Sequence, residues 1–242
     1  MANFFEKHGV IAKKFENETI NAGRYSFQKR QEKKIPKDVI KKLKVNKRDI
    51  CLDIGCNLGA ILLPISKIVN EITGIDQPHC IQRLKSKLTN SKNIKLIEND
   101  FFEHDFNNKK YDKIIIYSVI HAMKNKKEVY KFINKALSLL KPTGALLIGD
   151  IPNSSLKKRF LNSKYGKKFT KEWIKKNKMT KKDKDAQRIL SEDIRNDLKI
   201  NDEFILEIVT YLRKRGNNVY WLKQPSDLPF GHTREDLLIE RL

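Results

Sequence analysis

Apolar positions along the chain occur either in short continuous runs or at helical spacing. The first pattern predicts strands and the second predicts helices. Short apolar runs that end in glycine or polar residues predict five buried strands, in "DICLDIG", "EITGID", "IKLIEND", "YDKIIIYSVI" and "ALLIGDIP". Segments with helical apolar spacing separate these strands. One of them, "KEVYKFINKALSLLKPTG", is predicted to stop at Pro142 and Gly144. Strands that alternate with helices predict a parallel, doubly wound α/β sheet.

The pattern changes after the fifth predicted strand. Residues 153–200 are polar, lysine-rich and weakly helical in their spacing. A helix "NDEFILEIVTYLRKRG" follows, and then two strands, "NVYWLKQ" and "REDLLIERL", which lie too close together for an intervening helix and should form a hairpin. We expect a seven-stranded, mostly parallel sheet closed by this antiparallel hairpin. The predicted division is a helical cap over 1–48, a main domain over 49–152 and 201–242, and a basic helical insertion over 153–200 that acts as a substrate lid.

Charge is distributed unevenly along the chain, which has a formal net charge of +22. Residues 157–184 contain 13 basic and 2 acidic side chains, whereas 185–242 contain 9 basic and 11 acidic ones. Clustered cations indicate an anionic partner, since their fields add over long distances. A genome that favours lysine codons is the alternative explanation, because 40 of the 51 basic residues are lysines.

The compartment is predicted from three absences in the sequence. The first residues, "MANFFEKHGV", do not form a signal peptide pattern, and no apolar run approaches the roughly 20 residues of a membrane span. Cys51, Cys56 and Cys80 form no paired framework. We therefore expect a cytoplasmic protein without a membrane span.

The stretch "CLDIGCNLGA" after the first strand is the leading candidate for a ligand-binding turn. A phosphate-binding P-loop would need a lysine followed by serine or threonine, and neither is present. The dinucleotide pattern G-x-G-x-x-G lacks its middle glycine, since Asn57 stands between Gly55 and Gly59. Asparagine tolerates the left-handed conformation, so the turn itself remains possible. The nearby acid Asp53 would repel a pyrophosphate and attract a cationic amino group.

Acids also end the next two predicted strands. Asp76 can accept hydrogen bonds from ribose hydroxyls. Asp100 can accept one from an adenine amine while Phe101 packs on the ring, although a helix N-cap is an alternative role for Asp100. An amino-acid end, a ribose and an adenine without phosphate describe S-adenosylmethionine.

The motifs "LDIGCNLG", "GID", "ENDFF", "YDKIIIYSVIHAM" and "LLKPTGALLIGD" follow one another from about residue 50 to 152. In this order they resemble the class I S-adenosylmethionine-dependent methyltransferases, and the resemblance resumes at the closing hairpin. It implies a transferase with S-adenosylmethionine as the cofactor. The residues expected to contact this cofactor are Asp53, Gly55, Cys56, Asn57, Gly59, Asp76, Gln77, Asp100, Phe101 and Ser118.

Methyl transfer requires a positioned nucleophile and a group that removes its proton. His121, after the fourth strand, is the first candidate base, with lining of the cofactor pocket as its alternative role. Asp150 at the end of the fifth strand and His232 in "PSDLPFGHTRED" are the other candidates. No metal site is expected, because the five histidines are scattered along the chain.

The class of substrate is predicted from the basic segments of the chain. We favour a small anionic metabolite, such as a phosphorylated or nucleotide-activated precursor in surface-polysaccharide or capsule biosynthesis, with O-methyl over N-methyl transfer. An RNA-directed methyltransferase is the alternative, with the basic segments as a phosphate footprint. A catalytically silent binding subunit is a third possibility. Phe160, Tyr165, Phe169 and Trp173 are expected to pack the insertion onto the domain, and Arg24 to close over the cofactor carboxylate with its neighbours.

Overall fold

A single seven-stranded sheet lies at the centre of the computed structural model, which describes residues 4–88, 91–191 and 198–241. The strands are β1 (Ile50–Ile54), β2 (Glu71–Asp76), β3 (Ile94–Glu98), β4 (Tyr111–Tyr117), β5 (Leu140–Pro152), β6 (Asn217–Lys223) and β7 (Arg234–Arg241). Their order is β3-β2-β1-β4-β5-β7-β6. Six strands run in one direction, and β7 runs against both of its neighbours. The predicted doubly wound sheet with an antiparallel hairpin is confirmed.

Eleven α-helices and two short 3-10 turns, Ser26–Gln28 and Ile120–Ala122, occur in the described ranges. The helices are α1 (Phe4–Lys14), α2 (Glu18–Asn21), α3 (Lys29–Glu32), α4 (Ile35–Leu43), α5 (Leu62–Ser66), α6 (Pro78–Lys85), α7 (Lys126–Ser138), α8 (Ser154–Asn162), α9 (Lys164–Lys176), α10 (Lys181–Ser191) and α11 (Asp202–Arg213). Among them, none has the length and apolar character needed to cross a membrane.

Helices cover both faces of the sheet, as the nearly continuous apolar pattern of β4 predicts. Ile114 and Ile116 pack in a core cluster with α7 and α11, whereas Ile115 between them packs with α4, α5 and α6. Helix α4, which falls within the predicted cap, contributes Val39 and Leu43 to this second layer. The carboxyl ends of β1, β2, β4 and β5 therefore meet at one edge of a rigid, two-sided core.

Side-chain caps explain the helical content of the insertion. Asn153 accepts hydrogen bonds from two N–H groups of the first turn of α8, and Ser163 accepts one from Gly166 in α9. These caps satisfy amide groups that a helix start leaves without partners. Through residue 191 the insertion forms three helices and is thus more regular than its weak sequence pattern indicated.

The boundary between α7 and β5 differs from the prediction. The helix ends at Ser138, and Pro142 and Gly144, the predicted stop, lie within β5. The register on β4 shifts at this point, because Tyr111 pairs with Leu140 while Lys113 pairs with Ala145. Proline, which has no N–H to donate, is accommodated where the ladder is interrupted.

A β-bulge near the carboxyl end of β5 determines where its last residues point. Ile148 pairs with Leu237 and Ile151 with Glu235, so β5 has one more residue than β7 between these pairs. Asp150, within the bulge, has a left-handed backbone with φ of 58°. Both isoleucines belong to the same core cluster.

Candidate active site

The turn that follows β1 is held in a conformation that requires small or left-handed residues. Gly55, Asn57 and Gly59 have φ values of 77°, 47° and 83°. A Cβ atom at Gly55 would lie 2.6 Å from a methyl carbon of Val119, and one at Gly59 would lie 2.6 Å from a methyl carbon of Leu84. Glycine is therefore required at both positions by backbone and by packing. The expected left-handed conformation of Asn57 is confirmed.

Asp53, at the end of β1, is a buried carboxylic acid next to this turn. Its side chain is 2% exposed, and in the described part of the chain Oδ2 has no hydrogen-bond partner. Burial, reinforced by the negative charge of Asp76, raises the pKa of Asp53 to about 8. An unpaired buried carboxyl of this kind fits a ligand that brings its own cation.

Asp76, at the end of β2, orients the turn through its carboxylate. Oδ2 accepts from the backbone N–H of Asn57 and Oδ1 from that of Gln77, each at 2.7 Å. Burial raises the pKa of Asp76 to about 6, although both hydrogen bonds act in the opposite direction. Each oxygen retains a further lone pair, which a ribose hydroxyl can use.

The N-terminal helices cover the ends of β1 and β2. The side-chain amide of Asn57 donates to the carbonyl oxygen of Asn21 at 2.8 Å, and Nδ1 of His8 donates to the same oxygen at 3.1 Å. A Cβ at Gly9 would lie 2.7 Å from Oε1 of Gln77, so α1 passes directly over that side chain. His8, Gly9 and Asn21 belong to none of the sequence motifs described above. A glycine inside a helical pattern is the signal that would have indicated this close approach.

The candidates after β3 have contacts of a different kind. Oδ1 of Asp100 accepts from the N–H of Phe102 at 2.6 Å and so stabilises the turn after β3. No helix of the described ranges starts at this turn, and a hydrogen bond from an adenine amine to Asp100 remains a prediction. Phe101 is buried, with its ring centroid 4.8 Å from that of Phe132 and 5.7 Å from that of Phe106. These ring contacts of Phe101 are with the core. Its packing against an adenine ring remains a prediction.

Cys56 and Ser118 lie just after the carboxyl ends of β1 and β4. Burial raises the pKa of the Cys56 thiol well above its ordinary value, which keeps it protonated and unreactive. Ser118, directly after β4, has φ of 63° and donates its N–H to the carbonyl oxygen of Gly149 at 2.9 Å. Both residues lie at the predicted edge of the sheet, and their cofactor contacts remain predictions.

Asp150 lies between two arginines that come from distant parts of the chain. Its Oδ2 is 3.3 Å from Arg24, and its Oδ1 is 3.7 Å from Nε of Arg234. Arg24 also pairs with Glu32 at 3.3 Å. Arg24, Asp150 and Glu32 are all buried. Arg24 is thus engaged by these carboxylates, and its predicted closure over the cofactor carboxylate remains a prediction.

His121, in the 3-10 turn after β4, belongs to the same electrostatic environment. Loss of hydration lowers the pKa of its imidazole to about 3, and the positive charge of Arg234 is the next largest cause. His8 and Arg24 lower this pKa further, while Asp150 opposes them. The imidazole is therefore neutral at physiological pH. Two of the three predicted catalytic candidates, His121 and Asp150, lie close enough to influence each other.

His232, the third candidate, packs against the insertion. Its ring stacks on Phe160, with centroids 4.7 Å apart and planes inclined by 5°, and it contacts Phe169 edge-on at 4.6 Å. Partial burial and the positive charge of Lys223 lower the pKa of His232. These contacts anchor α8 and α9 on the loop before β7.

A second aromatic cluster joins the insertion to the N-terminal segment. The ring of Trp173 in α9 lies 5.9 Å from that of Tyr25 and 5.3 Å from that of Phe27. Tyr25 also contacts Phe230 at 6.0 Å. The expectation that aromatic residues of the insertion pack it onto the rest of the chain is confirmed for Phe160, Phe169 and Trp173, whereas Tyr165 is 61% exposed.

Lys7 in α1 is a buried cation that no sequence motif indicated. Its side chain is 7% exposed, and Nζ has neither a hydrogen-bond partner nor an ion pair in the described parts of the chain. It directly precedes His8, which acts electrostatically on His121. A buried, uncompensated ammonium is costly, and an anion that binds beside it would relieve this cost.

Residues 45–199 match the model of a protein family described as a methyltransferase domain. The chain belongs to this family. The match extends from the loop before β1 to the residues just before α11, and it covers the whole turn and both strand-end acids. Membership confirms the predicted class of S-adenosylmethionine-dependent methyltransferases, and S-adenosylmethionine is the cofactor of that class.

Solved structures of other methyltransferases share the fold. The N-methyltransferase NodS from Bradyrhizobium japonicum WM9, in complex with S-adenosyl-L-homocysteine, is 12% identical and has a TM-score of 0.60 over 99% of each chain. The plantazolicin methyltransferase BpumL, with S-adenosyl-L-homocysteine and a monoazolic desmethylPZN analogue, is 15% identical with a TM-score of 0.63, over 99% of this chain and 96% of BpumL. No curated protein sequence matches the chain.

The donor groups of this methyltransferase fit its cofactor. Asp53 has a buried carboxyl oxygen without a hydrogen-bond partner from the described residues, which fits a cationic amino group, and the lone pairs that Asp76 retains fit hydroxyl groups. Both acids lie at neighbouring strand ends, with the glycine turn between them. Within the residues that the structure describes, no group of three or more His, Cys, Asp or Glu side chains is arranged to hold a metal ion.

Proposed function

We propose that this methyltransferase transfers the methyl group of S-adenosylmethionine to a small anionic metabolite. The proposed acceptor is phosphorylated or nucleotide-activated, such as a sugar precursor in surface-polysaccharide assembly. The observation that carries the anionic character is the buried, unpartnered ammonium of Lys7. Arg24 and Arg234, whose charges act on His121, are already engaged by Asp150. We therefore propose Lys7, which precedes His8 in α1, as the cation that pairs with a substrate anion.

On the cofactor side, we assign roles to the residues at the first two strand ends. Bound S-adenosylmethionine supplies a methyl group on a sulfonium, which is an activated leaving group. Asp53 holds the amino group as a carboxylate, since a nearby cation counteracts the burial that raises its pKa. Asp76 accepts from the ribose hydroxyls, and the backbone of the turn at Gly55 and Gly59 approaches the methionine part.

On the substrate side, we propose Asp150 as the group that orients the acceptor hydroxyl and takes its proton. Its Oδ1 lacks a hydrogen-bond partner among the described residues, although Arg234 lies 3.7 Å away. This position suits O-methyl transfer, because a hydroxyl must lose a proton as it attacks. His121 is neutral at the pH of the reaction and is proposed to line the pocket beside it.

The experiment tests the anionic acceptor and Lys7 together. The purified full-length chain is incubated with radiolabelled S-adenosylmethionine and a panel of sugar phosphates, nucleotide sugars and their uncharged parent sugars. We expect turnover with a charged acceptor and little with its uncharged parent. For the best acceptor, Lys7→Gln should raise KM by about tenfold or more, the effect of a lost charge-assisted hydrogen bond. The control Lys13→Gln changes an exposed lysine of the same helix and should leave KM unchanged.

Three results would contradict this proposal. The first is equal turnover of charged and uncharged acceptors. The second is a loss of S-adenosylmethionine affinity in Lys7→Gln, measured by calorimetry, because Lys7 would then pair with the cofactor carboxylate. The third is methylation of purified RNA at an ordinary enzymatic rate, which would support the RNA-directed alternative.

A further inference from the structure

The insertion presents an exposed cationic surface that the proposed reaction does not use. All 13 basic side chains between residues 157 and 184 are exposed, and Arg159 alone among them forms an ion pair, with Asp202, in the described residues. We define the basic face as the exposed lysines of α8 and α9. They are Lys157, Lys158, Lys164, Lys167, Lys168, Lys171, Lys175 and Lys176.

The spacing of lysines in α9 aligns their charges. Lys164, Lys168, Lys171 and Lys175 follow one another at intervals of four, three and four residues and so lie in one row along the helix. The row is about 16 Å long, at 1.5 Å per residue. Phe169, on the opposite side of the helix, faces the domain, where it contacts His232. The row therefore points away from the protein.

Aliphatic side chains are exposed within this cationic face. Ile174 is 63% exposed, and it lies three residues after Lys171 and seven after Lys167, on the same side of α9. Leu161 is 38% exposed and follows Lys157 and Lys158 of α8 by four and three residues. Each helix thus combines a protruding aliphatic group with flanking ammonium groups.

This combination fits a lipid surface better than a nucleic acid. Aliphatic groups gain from burial at the boundary between headgroups and acyl chains, while lysines are attracted to anionic headgroups. A single nucleic acid strand is bound by basic residues together with exposed aromatic rings. Here Phe160, Phe169 and Trp173 use their rings to pack against the domain. Tyr165 is the one exposed ring of these two fully described helices, at 61%, and it contacts Phe160 and His232 edge-on. Twelve of the 13 cations are lysines, which lack the planar fork that favours arginine for bidentate phosphate contacts.

We propose that the basic face of α8 and α9 docks on an anionic lipid bilayer. Charge attracts the face to the surface, and Ile174 and Leu161 enter the boundary region of the outer headgroups. The association is peripheral and reversible, because each helix contributes one aliphatic anchor. The docking does not depend on which metabolite is methylated.

Flotation with lipid vesicles tests this proposal on the full-length chain. Vesicles of phosphatidylcholine alone are compared with vesicles that also contain phosphatidylglycerol, at physiological ionic strength. The variant K164Q/K168Q/K171Q/K175Q removes the row, and K37Q/K41Q/K44Q/K47Q removes four exposed lysines in and after α4 with the same change in net charge. At roughly fivefold in affinity per lysine near the surface, the first variant should lose more than about a hundredfold in partitioning to anionic vesicles. The control should lose less than about fivefold.

A third variant, Ile174→Asn, separates lipid from other polyanions. It should weaken vesicle binding by several-fold and leave the weak electrostatic binding of a polyuridine strand unchanged. Equal losses in the two quadruple variants, no effect of Ile174→Asn on vesicles, or tighter binding of polyuridine than of anionic vesicles would each overturn the proposal. Calorimetry with S-adenosylmethionine shows that every variant is folded.

Discussion

Two buried carboxylates at the same edge of the sheet have opposite electrostatic surroundings. Asp53, at the end of β1, is buried without a cation, and its pKa rises to about 8. Asp150, at the end of β5, is equally buried but lies between Arg24 and Arg234. The charge of the first carboxyl is not balanced by a nearby cation of the described chain, whereas the charge of the second is balanced by two arginines. This difference is the basis on which we propose Asp53 for cofactor binding and Asp150 for the reaction.

The residues around Asp53 are close to it in sequence, whereas those around Asp150 are distant. The turn beside Asp53 and the acid Asp76 follow within 23 residues. Arg24 and Asp150, by contrast, are 126 residues apart. Loss of the N-terminal segment would therefore alter Asp150 directly and Asp53 only through the covering helices.

The largest expected change in the free energy of unfolding follows from loss of the arginine beside Asp150. Arg24→Met leaves two buried carboxylates, those of Asp150 and Glu32, without this partner, and should lower the free energy of unfolding by about 3–5 kcal/mol. Urea denaturation measures the change. The control Lys126→Met breaks an exposed pair with Glu207 and should cost under about 1 kcal/mol. Similar losses in both variants would mean that the Asp150 site is not held by its ion pairs.

The next effect concerns the cofactor side. Asp76→Ala removes the acceptor of two backbone N–H groups and of the ribose, and should weaken S-adenosylmethionine binding by about 30- to 100-fold. Calorimetry measures the dissociation constant. Asp105→Ala, which removes an exposed acid that also accepts from a backbone N–H, is the matched control. Unchanged affinity in Asp76→Ala would contradict the cofactor assignment.

A smaller loss of cofactor affinity is expected at Asp53, whose contribution to stability depends on pH. Its folded pKa of about 8 exceeds the ordinary value of 3.8, so the carboxyl contributes a loss of stability as pH rises between these two values. The slope is at most about 1.4 kcal/mol per pH unit. Asp53→Asn should remove this slope, stabilise the free protein at pH 8 and weaken cofactor binding about tenfold. A variant that is less stable than the wild type at pH 8 would contradict the unpaired state of Asp53.

The smallest effect is expected at His121. Its pKa of about 3 places its titration below the working range, so the pH profile of kcat/KM should contain no step from this residue between pH 5 and 9. His121→Asn should reduce turnover by less than about tenfold and keep the shape of the profile. A reduction beyond a hundredfold, together with a lost step, would identify His121 as the base instead of Asp150.

Sequence patterns were sufficient to predict the features of the fold that neighbouring residues determine. The strand periods, the hairpin and the left-handed conformation of Asn57 follow from neighbouring residues, and all are confirmed. The partners of Arg24, the path of α1 over Gln77 and the burial of Phe101 depend on contacts between distant segments. Periodicity contains no information about these contacts, and it therefore did not identify Lys7 or His8.

The extra residue in β5 determines which core positions of this strand stay buried. Regular strands alternate faces, so residues three apart point in opposite directions. Ile148 and Ile151 nevertheless share one core cluster, because the bulge between them absorbs a residue. Asp150 behaves as a one-residue insertion that leaves the alternation of the core intact. Deleting Asp150 would restore a regular strand with both isoleucines still inside, but it would leave the buried Arg24 without this carboxylate partner. The apolar alternation of the core and the charge balance of the site are therefore separate demands on this position.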